Sequence, residues 1–313
     1  MFAETEYLLN QYQVRNNKTQ KSSFRCWLSD QLQLHGYAVS LEPAGGLIKS
    51  CNIIVGNPET ADVIFTAHYD TCSVLPFPNF ITPQNISLYF LYQILILIPM
   101  FVFAVGAELL LLTLWDDAPM WLAMLVVYIV LGFFLWWMIA GPANKHTMND
   151  NTSGVATLIE IALSLPETSR SHVAFIFFDN EEKGLLGSSA YKKKHGSALK
   201  NTLLINFDCV SDGDYIQFYP NKALKGNEEI LHCLERSFCS HSEKQVSIVK
   251  GFGFYPSDQK AFTLGVGVAA LHKGPVGYWL GRIHTVRDTV FDVQNIDLLC
   301  TGALKLVDIL SEV

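Results

Sequence analysis

The run VAFIFFDNEEKGLLGS, Val173–Ser188, decides how the rest of the chain is read. Val173 to Phe178 is wholly apolar, and Asp179, Asn180, Glu181 and Glu182 follow at once. A short apolar run rich in aromatic and branched side chains, cut off by polar residues, reads as a buried strand. Asn52 to Val55, Val63 to Ala67, Leu203 to Phe207 and Val266 to Leu271 read the same way. Between and after these runs, Ser153 to Leu165, Glu228 to Phe238 and Ile296 to Leu310 carry apolar residues at helical spacing. Strands alternating with helices predict an α/β fold: a mixed, mostly parallel central sheet flanked by helices on both faces. Ligands of such sheets bind outside the carboxyl ends of the strands.

The polar residues follow that rule. His68 and Asp70 close one strand, two residues apart and so on one face. Asp179 to Glu182 close the strand that ends at Phe178, and Asp208 closes the one that ends at Phe207. Asp150 precedes the helix beginning near Ser153, and His284 lies in a loop before the last helix. Each has a plain structural reading alone: an aspartate before a helix is usually an N-cap, and a Glu-Glu pair is usually solvated. Acidic residues that repeatedly follow wholly apolar runs at one rim point instead to a metal centre. Carboxylate and imidazole donors without cysteine suit zinc, manganese or cobalt in a catalytic site.

Composition adds a second feature. Of the 313 residues, 50% are hydrophobic and only 16% charged, against about 25% charged in an average soluble domain. The apolar surplus is localised. Ile86 to Leu114 is broken only by a few residues, among them Gln93, Pro99 and Glu108; after the turn Trp115-Asp116-Asp117-Ala118-Pro119, Met120 to Ala140 holds no charge. A helix of about 20 apolar residues spans a bilayer core. Trp115, Trp121, Trp136 and Trp137 stand near the ends, where an aromatic belt sits. The expected organisation is therefore an α/β domain formed by residues 1–84 and 142–313, with residues 85–141 inserted as a two-helix transmembrane hairpin. The connecting turn has two aspartates and no Lys or Arg, while Lys145 follows the second span. The positive-inside rule then puts the α/β domain in the cytoplasm. Met1 to Glu6 offers neither a basic nor an apolar signal segment. The cysteines Cys26, Cys51, Cys72, Cys209, Cys233, Cys239 and Cys300 form no Cys-x-x-Cys pair, so reduced thiols are expected. A net charge of −7 supplies no basic surplus for phosphates, so no nucleic-acid partner is expected. The partners expected are the lipid bilayer and a second copy paired through the hairpin.

The motifs resemble those of the cocatalytic di-zinc exopeptidases, which include bacterial leucyl aminopeptidases and have glutamate carboxypeptidases and glutaminyl cyclases as relatives. The likeness rests on His68-Tyr69-Asp70, Asn149 to Gly154, Phe177 to Ser188, and Asn206-Phe207-Asp208. Ser257-Asp258 with Phe262, and His284-Thr285 with Asp288-Thr289, complete it. The resemblance implies two zinc ions, with manganese or cobalt as substitutes. His68 and Asp208 would bind one, Glu182 and His284 the other, and Asp150 would bridge both. Glu181 would be the general base, and Asp70 would orient His68 through its second ring nitrogen. Tyr255, Ser257 and Asp258 would line the substrate side, with Tyr255 as a donor to the developing oxyanion.

Two features depart from the family. Gln259 stands where members often have His, and the hairpin replaces a short loop between His68 and Asp150. That position puts both hairpin ends near the site. The expectation is a membrane-anchored aminopeptidase acting on an apolar or membrane-associated peptide. Two other activities stay open at this stage: a glutaminyl cyclase-like acyltransferase, and a carboxypeptidase or N-acyl amino acid amidohydrolase. Arg282 and Arg287 beside His284 would suit the free carboxylate of the last.

Overall fold

A computed structural model describes residues 1–45 and 48–312. The chain opens with helices α1 (Ala3–Gln11) and α2 (Lys18–Leu34), the second started by an Asn17–Gln20 capping box. Strands β1 (Val39–Ala44), β2 (Ser50–Val55) and β3 (Val63–His68) lead to two long helices, α3 (Ile86–Leu114) and α4 (Met120–Ala140). Then come α5 (Gly154–Ser164), β4 (Val173–Phe178), α6 (Leu186–His195), β5 (Leu203–Phe207), β6 (Tyr215–Pro220), α7 (Lys222–Lys225) and α8 (Glu228–Ser237). Strands β7 (Gln245–Ile248), β8 (Gly265–Gly274) and β9 (Gly277–Trp279) and helix α9 (Val293–Ser311) complete the order.

The strands form one mixed sheet in the order β1-β2-β4-β3-β5-β8-β6-β7, with β9 paired to β8. Its centre, β4-β3-β5-β8, is parallel throughout. Antiparallel pairs flank it, β1 and β2 on one side and β6 against β8 on the other. β2 and β3, which precede the two long helices, interleave with β4 and β5, which follow them. Continuous apolar runs arise here because both faces of the central strands are covered. On β4, Val173, Phe175 and Phe177 enter the larger core with Phe24, Leu28, Ile159 and Leu306. Ala174, Ile176 and Phe178 point to the opposite face, among Ile64, Tyr191 and Phe262. The two-residue repeat of the pleat produces this division.

Helices α3 and α4 behave in the opposite way. Among their residues only Met100, Ala104 and Ala123 are buried. They pack on each other, with Phe103 and Phe134 rings 6.0 Å apart, and leave large apolar side chains such as Phe103 and Trp121 exposed. Both are long and apolar enough to cross a membrane. Their base is fastened to the α/β part. Asn85 caps α3 by accepting from the Leu88 amide, Tyr92 Oη donates to the Pro78 carbonyl at 2.7 Å, and Trp137 Nε1 donates to the Val74 carbonyl at 3.1 Å.

One buried ion pair joins α2 to the rim of the sheet. Lys21 Nζ lies 2.6 Å from Asp179 Oδ1 and 2.7 Å from Asn180 Oδ1, with both charged residues buried. Breaking a buried pair from one side leaves an uncompensated charge. Lys21→Ala is therefore expected to lower stability by about 3–5 kcal/mol, measured by urea unfolding of detergent-solubilised protein. A loss under about 1 kcal/mol, the scale of an exposed pair, would mean that Arg25, 4.0 Å from Asp179 Oδ2, carries the compensation instead.

Candidate active site

Three neighbouring parallel strands deliver the polar residues to one rim. β3 ends on His68, β5 ends one residue before Asp208, and β4 ends before Asp179 to Glu182. After β4 the chain turns sharply: Asn180 and Leu185 adopt left-handed backbone, and Gly184 sits at φ +96°, where a side chain would be strained. The turn is closed by bonds from the Gly184 and Leu185 amides to the Glu181 carbonyl. It presents Glu181 and Glu182 together. Asp70 fixes it from across the rim, since its carboxylate accepts from the Glu181 amide at 3.0 Å and the Glu182 amide at 3.3 Å.

Asp150 is held just as firmly. The Asp288 carboxylate accepts from the Asn149 amide at 2.7 Å and from the Asp150 amide at 3.0 Å. Asn151 ties the turn to the strand ends: Nδ2 donates to the Phe207 carbonyl, and Oδ1 accepts from the amides of Gly154 and Cys209. Gly154 is required by this closeness, because a Cβ there would lie 2.3 Å from the Phe207 carbonyl oxygen. His284 comes from the loop between β9 and α9, with φ +62°, and its carbonyl accepts from the Leu75 amide at 2.7 Å.

These residues converge around Asp150. Its Oδ1 lies 3.4 Å from His68 Nε2 and its Oδ2 lies 3.1 Å from His284 Nε2. Each imidazole faces a second carboxylate: Asp208 Oδ1 at 3.6 Å from His68 Nε2, and Glu182 Oε2 at 3.3 Å from His284 Nε2. Donor atoms of His68, Glu181 and Glu182 also lie within 4.8 Å of one another. The geometry is thus two His–carboxylate pairs sharing one aspartate, with Glu181 alongside.

The electrostatics call for added positive charge. Burial, together with Glu182, Asp208 and Asp258, pushes the Glu181 carboxyl well up against the pull of His68. Burial, Asp150, Asp70 and Asp208 do the same to Glu182. Burial disfavours charge on His68, but Glu181 and the surrounding carboxylates of Asp150, Asp208 and Asp70 outweigh it and raise the imidazole. Asp150, beside both imidazoles, is drawn down despite its burial. Glu182 Oε1 is buried with no hydrogen-bond partner among the described residues. Unpaired buried carboxylate charge is costly unless a cation or hydrogen bonds meet it. An orphaned oxygen in a set of carboxylates and imidazoles fits a divalent transition-metal ion.

The remaining site residues fall in different places. The Asp70 carboxylate stands 3.7 Å from His68 Nδ1, and it is the Asp70 carbonyl, at 3.1 Å, that meets this nitrogen. Asp70 thus holds the ring through its backbone and the Glu181–Glu182 turn through its side chain. Tyr255 is buried, stacks on Tyr219, and donates its hydroxyl to the Asp208 carbonyl at 2.9 Å. Ser257 Oγ accepts from Asn206 Nδ2 at 2.9 Å. Asp258 is fully buried; burial pushes its carboxyl up to about 7, against the attraction of His68 and the nearby Ser188 hydroxyl.

The motif reading passed over three participants. Arg15 is fully buried, with Nε on the Tyr69 carbonyl at 2.5 Å and its guanidinium reaching Thr152 Oγ1 at 3.3 Å. Burial lowers it to about 9 although Asp70 and Asp150 hold it up. Asp288 was quoted only as part of a motif, without its grip on Asp150. The Cys72 thiol lies among Asp150, Glu182 and His284, with ligand atoms all within 4.8 Å of one another. Arg15 reaches the site only through the fold, whereas Cys72 stands two residues beyond the His68-Tyr69-Asp70 motif and was read only as one of the reduced thiols.

Comparisons with known proteins bear on the fold and the family. No curated protein matches the chain. Among solved structures, a glutaminyl cyclase of Porphyromonas gingivalis is similar at 17% identity and TM-score 0.62, covering 99% of this chain and 97% of that one. The Legionella pneumophila LapA aminopeptidase is similar at 13% identity and TM-score 0.58, covering 98% and 68%. A glutaminyl cyclase of Macrostomum lignano is similar at 13% identity and TM-score 0.59, covering 100% and 90%. At such identities the likeness is one of fold. The sequence pattern of Peptidase family M28 matches residues 132–304, a stretch that carries Asp150, Glu181, Glu182, Asp208 and His284. With more than half its length matched, and its acidic and imidazole side chains gathered at the rim of the sheet, this chain belongs to Peptidase family M28.

Proposed function

We propose that the protein is a membrane-anchored, zinc-dependent exopeptidase that removes N-terminal residues from peptides. The observation that carries this reading is the Asp150 carboxylate, which offers one oxygen toward His68 and the other toward His284. Two imidazoles, each with its own second carboxylate and sharing a third, suit two ions better than one. In this reading His68 and Asp208 hold one zinc, Glu182 and His284 hold the other, and Asp150 is shared. Bound zinc supplies Lewis acidity toward the scissile carbonyl and makes water a better nucleophile near neutral pH.

Glu181 is the general base. Its backbone amide is tied to Asp70, which fixes the side chain's origin, and the neighbouring Glu182 is left to the metal. Water oxygen bonds to the carbonyl carbon as Glu181 accepts its proton at a carboxylate oxygen. The C–N bond then breaks, and Glu181 returns that proton to the departing amine. Asp70 and Asp288 act as positioning residues, one for the Glu181–Glu182 turn and one for Asp150. Tyr255 is proposed to line the substrate side, with Ser257 and Asp258 behind it.

The long helices α3 and α4 are proposed to span a bilayer, with the catalytic domain formed by residues 1–84 and 142–313 on its cytoplasmic side. Their base adjoins the site. The Leu75 amide donates to the His284 carbonyl, and the Phe254 amide donates to the Pro83 carbonyl at 2.8 Å. Tyr89 of α3 meets Phe254 with rings 5.8 Å apart, and Phe252 and Val286, on the loops that carry Tyr255 and His284, are exposed. A mouth so close to the bilayer suits an apolar or membrane-associated peptide. The exposed apolar faces of α3 and α4 also suit pairing with a second copy in the bilayer.

The likeness to glutaminyl cyclases favours one second reading, ring closure of N-terminal glutamine. Mass spectrometry of a peptide pool, half with blocked N-termini, separates the two. Stepwise loss of N-terminal residues from only the unblocked peptides is expected. Ring closure without cleavage would replace the peptidase reading, and loss from the C-terminus would replace it with a carboxypeptidase. Glu181→Gln is expected to reduce kcat by about 10²–10⁴-fold with zinc content unchanged. An active Glu181→Gln enzyme would remove the proposed base. Deleting residues 85–141 is expected to release the protein from the membrane pellet and to lower turnover of apolar peptides more than of polar ones. Equal turnover of both would contradict the membrane-facing mouth.

A further inference from the structure

Cys72 stands on the Asp150–Glu182–His284 side of the centre, four residues beyond His68 and 2% exposed. Its Sγ and the donor atoms of Asp150, Glu182 and His284 lie within 4.8 Å of one another. Glu182 turns Oε2 toward His284 and leaves Oε1 buried without a partner. The sulfur also has a donor aimed at it, Asn144 Nδ2 at 3.8 Å. The orientation of that amide is fixed by its other bonds. Oδ1 accepts from the His146 amide at 3.1 Å, and Nδ2 donates to the Thr285 carbonyl at 3.0 Å. Without a cation, burial and the neighbouring Glu182 and Asp150 carboxylates push the thiol well up, and the Asn144 N–H only partly offsets them. Cys72 comes from the segment entering the hairpin and Asn144 from the segment leaving it, and the Asn144 amide donates to the Cys72 carbonyl at 3.0 Å. The two ends of the insertion thus close together over one side of the centre.

We propose that Cys72 is a thiolate ligand of the zinc held by Asp150, Glu182 and His284. The inference rests on the di-zinc reading above and divides its two sites. On ligation the S–H bond breaks, its proton passes to solvent, and a sulfur lone pair forms the bond to zinc. That site then has four protein donors, the number found in closed tetrahedral zinc sites. The other ion has three, His68, Asp150 and Asp208, and keeps the open position that catalytic zinc uses. Glu181 has a carboxylate oxygen within 4.8 Å of a His68 ring nitrogen, so the proposed base stands next to that open position. Sulfur also biases the closed site toward zinc and away from manganese.

The test is zinc content together with zinc-edge X-ray absorption on the full-length protein in detergent. Two zinc ions per chain are expected. A sulfur neighbour at about 2.3 Å is expected alongside nitrogen and oxygen at about 2.0–2.1 Å. Cys72→Ser is expected to lose the sulfur distance while keeping its circular dichroism. Cobalt loading gives a second readout without turnover: a near-ultraviolet sulfur-to-cobalt charge-transfer band. That band should survive in a Cys26→Ser/Cys239→Ser protein, which lacks the two exposed thiols. It should survive in Cys209→Ser too, which lacks the buried thiol 3.1 Å from Asp208 Oδ1, and the two results together decide the question even where Cys72→Ser fails to fold. Two zinc ions with nitrogen and oxygen neighbours only would overturn the Cys72 assignment and leave the di-zinc reading intact. A sulfur neighbour that persists in folded Cys72→Ser, or a band lost with the exposed thiols, would overturn it too. One zinc with sulfur would uphold Cys72 and contradict the two-ion count, and a wild-type chain that retains no zinc would overturn both.

Discussion

The Asp150 carboxylate faces two imidazoles at once, and the rest of the rim is organised around that demand. A carboxylate can serve two partners only if its backbone cannot rotate away. Asp288 takes the amides of Asn149 and Asp150, and Asn151 stitches the same turn to the ends of β3 and β5. Gly154 then lets helix α5 start against the Phe207 carbonyl. These are buried polar contacts at the edge of a large apolar core, each satisfied by a partner from a different element. The fold therefore concentrates negative charge where desolvation is most costly. Glu181 and Glu182 are both pushed up by that crowding, and Glu182 keeps an oxygen with no protein partner. Bound cations relieve this stress directly.

The insertion of α3 and α4 begins and ends beside this centre. The chain leaves the rim after Asp70 and returns just before Asp150, so the segments at the base of the two helices form part of the wall of the site. Leu75 holds the His284 backbone, Pro83 meets Phe254, and Asn144 lies on Cys72 and Thr285.

Much of this was legible in the sequence, for reasons that differ by element. β4, β5 and the parallel part of β8 were readable because strands covered on both faces carry uninterrupted apolar runs. The two long helices were readable to the residue, since their composition permits little else. β1, with Glu42 and Pro43, and the largely exposed β7 are edge strands whose residues carry no such run. Helix α2 hides its apolar stripe, Phe24, Leu28 and Leu32, among polar residues. At the rim, the residues brought together around Asp150 were named from motifs at strand ends. Arg15 was not, because nothing in its own neighbourhood marks it, and Cys72 was not, because a lone cysteine after the His68-Tyr69-Asp70 motif reads first as a packed thiol. Asp70 was assigned to the His68 ring through its carboxylate, yet its carbonyl meets that nitrogen and the carboxylate holds the next turn of chain. Spacing along a strand tells which face a side chain leaves from, but not which of several donors it will meet.

The account turns on two cations flanking one aspartate. An anomalous difference map recorded at the zinc edge from the zinc-loaded protein addresses this directly. Two peaks are predicted, one between His68 and Asp208 and one between His284 and Glu182, with the Asp150 carboxylate between them. A single peak, or density away from Asp150, would contradict the account.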